Sequence, residues 1–463
     1  MLNQDIMREH YRSGFISGNQ FNGLSVTGVE GNRILLEKGQ SLLDFTGQLG
    51  AVISGNGNKF INAYIQESLD RYGFVWEESL NEYREEAVRL IFSTIFKDED
   101  WIQKIRFFVT GSEAVEGAIL LAKEVTKREV VLTHNYAYHG WTVEARNCSD
   151  FPEFGTVVDA QGSYKKAPKD KTEFFQYPFC SQCPFNKNYC ECQESKELFC
   201  ITKLREKICE IGPDNIAAVF CDCILGLAVI TPPREYVRQF RALTQEYGIL
   251  WIDDEIYSGF RTGHWLSYQQ FEGIHPDIVC FGKGISNGTF PVSGIGISRK
   301  ISEILELYKW QICSSFSSHP AGMAAICGNL KYIKDNKLIE HAKEKESIFF
   351  QKLMELKEKY ECIGDIHGKG MFWGAEICKI VDGKNVPMMK EDRKIVLRKN
   401  QEYPLGVLRK ICIENGLLIG GYVPNTIRIS PSLTFEVDEI KTAFEILDKS
   451  IARFEQEIKE KNW

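Results

Sequence analysis

The sequence has no apolar run long enough to cross a bilayer. Its longest apolar stretch, residues 216–230, is interrupted by Asp222 and falls short of the about 20 residues that a membrane-spanning helix needs. The first residues, MLNQDIMREHYRSG, contain no apolar segment behind a basic one, which is the pattern of a secretion signal. We therefore expect a cytoplasmic protein with no membrane partner.

The chain also has no excess of positive charge. Its 56 lysines and arginines against 63 aspartates and glutamates give a formal net charge of −7, so it offers no basic field to a phosphate backbone. We expect no nucleic-acid partner. Internal repeats and low-complexity linkers are absent as well, and 463 residues of ordinary globular composition predict more than one domain.

The middle of the chain alternates short apolar runs with amphipathic segments. The runs predict buried strands at residues 105–109, 130–132, 217–221, 249–252 and 278–281, with helices such as 113–126 and 234–247 between them. This alternation predicts an α/β fold with a mostly parallel sheet, in which ligands bind beyond the carboxyl ends of the strands.

The two ends of the chain differ from this middle part. Residues 24–49 have short alternating runs with glycine turns, and the C-terminal part has long charged helical stretches around short strand candidates. We predict a large domain over residues 61–330 and a smaller α+β domain over 331–463, to which the N-terminal segment 1–60 also contributes.

Three polar sites follow the predicted strands. Gly111 and Ser112 stand at the start of a helix, where free N–H groups favour a phosphate, although Ser or Thr before Glu is also a common helix cap. Asp254 ends an apolar run and needs a cation, a metal or a ring nitrogen as partner, unless it caps a polar loop. Lys283 lies between glycines at a strand end, where its amine is desolvated, unless it reaches the surface.

Taken together, these sites match the requirements of pyridoxal 5'-phosphate (PLP). A lysine forms an imine with this cofactor, an acid keeps its ring nitrogen protonated, and a helix start holds its phosphate.

At this point the sequence resembles the class III branch of the fold type I PLP-dependent aminotransferases over nearly the whole chain. Residues 110–116 (TGSEAVE) resemble the phosphate loop SGSEAVE, residues 138–140 match the motif YHG, and residues 254–256 (DEI) resemble DEV. The resemblance implies roles for four residues: stacking on the pyridoxal ring for Tyr138, the ring-nitrogen partner for Asp254, packing behind the ring for Ile256, and the Schiff base for Lys283.

A further motif implies a homodimer. Residues 315–320 (SFSSHP) are similar to the family's T-[FY]-x-x-[NH]-P stretch, in which the first hydroxyl reaches the cofactor phosphate of the neighbouring subunit. Ser315 takes that place here. Residues 368–374 and 427–433 are similar to the small-domain motifs GxGLFWG and LRxxPPL.

The sequence departs from the family in the substrate region. Where relatives have VEPVQGEGG, residues 221–228 read CDCILGLA, so that Asp222 takes the acid role near the ring oxygen with one methylene fewer. Leu227 replaces a glutamate that pairs with the small-domain arginine in many members. Arg428 is then free to bind a substrate carboxylate, or it serves to cap a strand. Tyr257 replaces the common Gln or Met.

A cluster of cysteines precedes this region. Cys180, Cys183, Cys190 and Cys192 have the thiolate count of a zinc site, and free or redox-linked thiols are the alternative. A similar insertion, YCYRCPFG, occurs in taurine–pyruvate-type members of the family.

The resemblance implies a ping-pong aminotransferase. An amino acid or an omega-amine gives its amino group, a 2-oxo acid takes it, and the amine of Lys283 moves the proton as general base and acid. Aminomutase, epimerase and phospho-lyase activities stay open on the same scaffold, and the stretch DEIYSGFR resembles aminomutase members. A scaffold without catalysis is disfavoured, because Lys283, Asp254 and Tyr138 are all present.

Overall fold

The computed structural model of the chain describes residues 6, 7, 9, 23–151, 171–187, 192, 194–382, 384–389, 402–422 and 425–461. The strands are β1 (Val26–Glu30), β2 (Arg33–Leu36), β3 (Ser41–Asp44), β4 (Ile102–Phe108), β5 (Val130–His134), β6 (Thr172–Phe175), β7 (Ile216–Phe220), β8 (Leu250–Asp254), β9 (Ile278–Phe281), β10 (Ser293–Ser298), β11 (Ile363–Lys369), β12 (Phe372–Val381), β13 (Lys384–Pro387), β14 (Leu417–Leu418), β15 (Gly420–Tyr422) and β16 (Thr426–Ile429).

Apart from short turns, the helices are α1 (Lys59–Tyr72), α2 (Glu82–Thr94), α3 (Gly111–Thr126), α4 (Val143–Asn147), α5 (Phe199–Ile211), α6 (Arg234–Tyr247), α7 (Arg299–Glu306), α8 (Pro320–Asp335), α9 (Leu338–Lys359), α10 (Pro404–Glu414) and α11 (Val437–Lys461). Within the described ranges, none of them combines the length and the hydropathy that crossing a bilayer requires.

A seven-stranded sheet forms the centre of the molecule, with strand order β4-β10-β9-β8-β7-β5-β6. The strands from β9 to β6 pair in parallel, and β10 runs antiparallel to both of its neighbours. Every residue of β7, β8 and β9 is buried, which is why these strands are continuous apolar runs rather than alternating ones. The predicted α/β fold with a mostly parallel sheet is confirmed.

Two smaller sheets use the ends of the chain. The first is an antiparallel meander of β1, β2 and β3, which β14 extends in parallel, so early and late segments of the chain share one sheet. The second has the order β11-β12-β16-β15, with β13 on the far part of β12. The domain boundaries near residues 60 and 330 stay a prediction.

A buried asparagine ties the turn after β9 to the N-terminal segment. Asn287 Oδ1 accepts hydrogen bonds from the backbone N–H groups of Ile53 and Ser54, both at 2.7 Å, and Asn287 Nδ2 donates to Gly55 O at 2.9 Å. Its backbone has φ +56°, in the left-handed region that asparagine tolerates better than most residues. The turn that carries Lys283 is therefore fixed from outside the large sheet.

We expect Asn287→Ala to lower the free energy of unfolding by about 2–4 kcal/mol, because it leaves three buried backbone groups without partners. Urea denaturation measures this change. Asn336→Ala is the control, since Asn336 is exposed and its side chain bonds only to Tyr332 O in the described structure. An equal, small effect of both substitutions would show that Asn287 does not anchor the turn.

Candidate active site

The predicted site residues lie at the carboxyl ends of neighbouring parallel strands. Asp254 is the last residue of β8, Asp222 follows β7 by two residues, and Lys283 follows β9 by two residues. Gly111 opens α3 after β4. Because these strand ends share one edge of the sheet, the side chains face a common space.

The start of α3 combines a helix cap with an open cradle. Thr110 Oγ1 accepts from the N–H of Glu113, and the Glu113 carboxylate accepts from the N–H groups of Val109 and Thr110. The helix cap, which was the alternative to a phosphate site in the sequence, is thus present. It is formed by Thr110 and Glu113, and Ser112 takes no part in it. The first N–H groups of a helix have no partner within it, so they remain for an anion.

Two glycines bring backbone close to this cradle. A Cβ on Gly111 would lie 2.9 Å from Ile256 Cδ1, and a Cβ on Gly140, at φ +140°, would lie 2.5 Å from Ser112 Oγ. A Cβ on Gly282, just before Lys283, would lie 3.4 Å from Ile256 Cγ2. Ile256 therefore forms one wall between the helix start and the lysine.

Asp254 is held by two hydrogen bonds. Its Oδ2 accepts from His139 Nδ1 at 2.8 Å, and its Oδ1 accepts from the backbone N–H of Ile256 at 3.1 Å. The His139 ring stacks on Phe220 at 4.3 Å between centroids. Sequence reasoning gave His139 no role of its own; its place in the motif YHG was the available signal.

Behind this pair lies a buried polar group of His134, His139 and Asp222. Their ligand-type atoms lie within 4.8 Å of one another, and His134 Nε2, His139 Nε2 and Asp222 Oδ1 have no hydrogen-bond partner among the described residues. Burial raises the pKa of Asp222 to about 7, against the opposing effect of His139, and burial lowers the pKa of His134 to about 4. His134 was also missed from the sequence.

Lys283 has its amine withdrawn from water. Burial is the largest cause that lowers the pKa of Lys283 to about 7, and the positive charge of Arg428 lowers it further, while Asp254 raises it. Lys283 Nζ lies 4.3 Å from the centre of the Tyr257 ring. A neutral amine near pH 7 is a nucleophile and a base.

Tyr138 and Ser315 differ in burial. Tyr138 is half-buried, its ring meets Phe151 edge-on at 5.9 Å, and burial together with Asp254 raises its pKa. Ser315 is exposed on the segment between β10 and α8. Its neighbours Ser314 and Ser317 line a cavity of about 560 Å³ that also contacts Glu113 near the start of α3.

Arg428 is 4% exposed and has no carboxylate partner in the part of the chain that the structure describes. It donates to Gly226 O at 3.2 Å and to Leu227 O at 3.3 Å, and its Nε has no partner there. The guanidinium carbon lies 4.3 Å from the centre of the Tyr257 ring. Both the substrate and the strand-capping alternatives remain compatible with these contacts.

The cysteine cluster lies beside this region. Cys180, Cys183, Cys192 and Cys200 line one small apolar cavity, while Cys190 lies outside the described residues. Burial raises the pKa of the Cys180 thiol to about 11. Among the described residues, no three cysteine sulfurs come within metal-binding reach of one another.

Three comparisons place this geometry among known proteins. The sequence model of the class III aminotransferase family matches residues 17–451. The alanine/serine racemase of Pyrococcus horikoshii is 31% identical over 359 residues, which are 75% of this chain and 69% of that racemase. The putrescine–pyruvate aminotransferase of Pseudomonas aeruginosa is 26% identical over 97% of this chain and 96% of its own length.

A solved S-selective transaminase from Arthrobacter sp. with alanine bound superposes with a TM-score of 0.91, at 35% identity over 98% of this chain and 97% of that one. The resemblance to the class III aminotransferases, predicted from the sequence motifs, is confirmed. The chain belongs to the class III aminotransferases, the PLP-dependent enzymes of fold type I.

Proposed function

We propose that Lys283, Asp254 and Tyr138 form the catalytic core with which this chain transfers an amino group from an amine donor to a 2-oxo acid. The observation that carries the proposal is the desolvated amine of Lys283 beside the Asp254–His139 pair and the glycine-lined start of α3. These groups are the three contacts that PLP needs: a nucleophilic amine, an acid for the ring nitrogen and an anion site for the phosphate.

The residues fit that cofactor in shape as well as in chemistry. Gly111 and Gly140 let Ile256 and Ser112 approach the backbone closely, and Ile256 presents an apolar face between Gly111 and Gly282. We propose that Gly111 and Ser112 hold the phosphate, that Ile256 and Tyr138 lie on the two faces of the ring, and that Asp222 lies near its ring oxygen. When bound, PLP withdraws electrons from the substrate carbon that loses a proton.

The protein's own part in the reaction is to move that proton. Lys283 Nζ, neutral near pH 7, takes the proton from the amine-bearing carbon of the donor and delivers it on the far side of the amine nitrogen. His139 and the N–H of Ile256 fix the orientation of Asp254 during this exchange. Arg428 binds the substrate carboxylate, and the oxo product leaves before the acceptor enters.

A second candidate function is racemisation or epimerisation. The relative from Pyrococcus horikoshii is named an alanine/serine racemase, and its 31% identity spans 75% of this chain. The two functions differ in where the proton returns, since a racemase gives it back to the carbon from which it came. We favour transamination because the family match and the transaminase structures agree on it.

For assembly we propose a homodimer with shared active sites. Trp141 and Phe316 are 64% and 61% exposed, and Phe74 meets Phe316 edge-on at 6.0 Å. We call Phe74 and Phe316 the aromatic patch, and Trp141 lines the neighbouring cavity with Ser314 and Ser317. Exposed aromatic side chains beside a cavity mark interfaces, and Ser315 stands next to this patch, ready to reach the phosphate of the partner subunit.

Zinc on Cys180, Cys183, Cys190 and Cys192 stays the alternative to free thiols, supported by the spacing of these cysteines in the sequence. A cytoplasmic location also stays a prediction.

We expect Lys283→Ala to lower kcat for transamination by at least about 10³-fold, because nucleophile and proton carrier are lost together. Lys300→Ala, at an exposed lysine of α7, should retain full activity. The assay follows formation of the new amino acid from a 2-oxo acid. Retention of a tenth of the activity by Lys283→Ala would contradict the role of Lys283.

The rate at which cofactor-free protein takes up PLP should rise about tenfold per pH unit below pH 7 and level off above it. The pKa of Lys283 lies at about 7, below its ordinary value of 10.5, so the amine is already neutral above pH 7. Visible absorbance measures the rate, with a free lysine derivative as the unshifted control. A rate that still rises between pH 8 and 10 would show that the amine of Lys283 is solvated.

We expect Phe316→Glu to weaken the dimer at least about tenfold, because it places a charge within the aromatic patch. Sedimentation velocity measures the association, and Ile380→Glu is the control at an exposed position of β12. A wild-type chain that sediments as a monomer at micromolar concentration would contradict the shared active site.

A further inference from the structure

Tyr257 is a buried aromatic residue whose ring meets the amine of Lys283 and the guanidinium of Arg428. Lys283 Nζ and the guanidinium carbon of Arg428 each lie 4.3 Å from the ring centre, and that of Arg261 lies at 5.9 Å. A cation within about 6 Å of an aromatic face is attracted by the ring quadrupole, most strongly where water is excluded. Tyr257 is 9% exposed, so the attraction acts in a desolvated place.

Stacking, a hydrogen bond and close backbone packing hold the ring of Tyr257 in place. It stacks on Phe372 at 5.5 Å with 25° between the planes, and its hydroxyl shares a 3.1 Å hydrogen bond with Ser430 Oγ. A Cβ on Gly50 would lie 2.6 Å from Tyr257 Cζ, and one on Gly226 would lie 2.8 Å from Tyr257 Cβ. Because both positions are glycine, the backbone packs closely against the tyrosine side chain and leaves it little room to rotate.

Arg428 lacks a negative partner at the place where it meets this ring. Its hydrogen bonds go to two backbone carbonyls, of Gly226 and Leu227, and its Nε is without a partner among the described residues. The side chain at 227, where many class III members carry a glutamate, is apolar here. A buried guanidinium without an anion gains strongly from a carboxylate that enters the pocket.

We propose that Tyr257 is the positioning residue that holds Arg428 in place as a permanently open carboxylate receptor, which selects substrates with a carboxylate next to the reacting carbon. The ring attracts the guanidinium face and leaves Nε of Arg428 without a partner among the described residues, whereas a glutamate would form an ion pair with the guanidinium. An incoming carboxylate therefore binds without first breaking an ion pair. This inference rests on the proposed function of Lys283 and Arg428.

The same ring sets the length of the substrate. Because Lys283 Nζ and the guanidinium carbon of Arg428 lie equally far from one ring centre, they are no farther apart than twice that distance. A short span suits an amino acid whose amine and carboxylate are on the same carbon, such as alanine. An amine at the far end of a long chain does not fit between the two groups in this arrangement.

The test compares alanine with isopropylamine, in which a methyl group replaces the carboxylate. PLP-loaded protein is mixed with each donor in the absence of an acceptor, and the loss of visible absorbance gives the rate and the half-saturating concentration. We expect Tyr257→Leu to raise the half-saturating concentration of alanine about 10–30-fold and that of isopropylamine less than about 3-fold. Tyr257→Phe keeps the ring and should stay within about 3-fold for both donors.

A binding measurement separates this effect from turnover. Propanoate has the carboxylate of alanine and no amine, so it binds without reacting. Calorimetric titration should show about a tenfold weaker affinity for propanoate in Tyr257→Leu than in wild type or Tyr257→Phe. PLP content and the unfolding midpoint of each variant establish that the pocket is intact.

Leu227→Glu tests the same idea without touching the ring. It supplies the missing carboxylate beside Arg428, and we expect a loss for alanine and propanoate of about tenfold or more, with isopropylamine little changed. If Leu227→Glu leaves alanine and propanoate unchanged, or if Tyr257→Leu affects both donors equally, the proposal for Tyr257 is wrong.

Arg428→Gln distinguishes this failure from that of the proposed function. If Arg428→Gln weakens alanine about 100-fold while Tyr257→Leu does not, Arg428 binds the carboxylate but Tyr257 does not hold it. If Arg428→Gln affects alanine and isopropylamine alike, Arg428 is not the carboxylate receptor, and the inference for Tyr257 is overturned with it.

Discussion

Unbalanced positive charge is the constraint on which the site depends. Lys283, Arg261 and Arg428 lie within reach of one aromatic ring, and none of the three forms an ion pair among the described residues. Burial lowers the pKa of Lys283 to about 7 and that of Arg261 to about 10. Loss of its proton removes the positive charge of the lysine and reduces the repulsion between these groups, while the two arginines keep their protons. The pocket is therefore prepared for anionic ligands and holds a neutral amine for chemistry.

The fold maintains this constraint from two sides. Arg261 donates to Ser430 O and Pro431 O at the end of β16 and to Val52 O in the N-terminal segment, so both ends of the chain pack onto the large sheet at the pocket. Asn287 anchors the turn of Lys283 to the same N-terminal segment. Loosening either contact would admit water, restore the ordinary pKa of the lysine and weaken the attraction for a carboxylate.

Much of this arrangement could be predicted from local pattern. Helix α6 begins and ends where the periodicity predicts, and β9 spans the predicted residues 278–281. The predicted strand 105–109 begins three residues late because β4 is an edge strand, whose exposed Gln103 and Lys104 interrupt the apolar run. Parallel strands place their carboxyl ends at one edge, which is why Asp254 and Lys283 could be grouped from the sequence.

Contacts between distant segments could not be predicted in this way. The bond from His139 to Asp254 joins residues 115 positions apart, and the meeting of Arg428 with Tyr257 depends on how β16 packs against the large sheet. Neither contact can be predicted from the neighbouring residues in the sequence, because tertiary packing sets the direction of these side chains. The helix cap at Thr110 and the phosphate site at Ser112 were alternatives in the sequence, and the structure shows the cap beside an open cradle.

When PLP is bound, Lys283 would move a proton off the amine-bearing carbon of the donor, so that water could release this carbon as an oxo product while the nitrogen stays with the cofactor. The most direct measurement mixes the PLP-loaded protein with alanine in deuterated water, without an acceptor, and follows both visible absorbance and the products. We predict loss of the visible absorbance band, with one pyruvate formed per active site. Persistent absorbance with formation of deuterium-labelled D-alanine and no pyruvate would contradict it and establish racemisation instead.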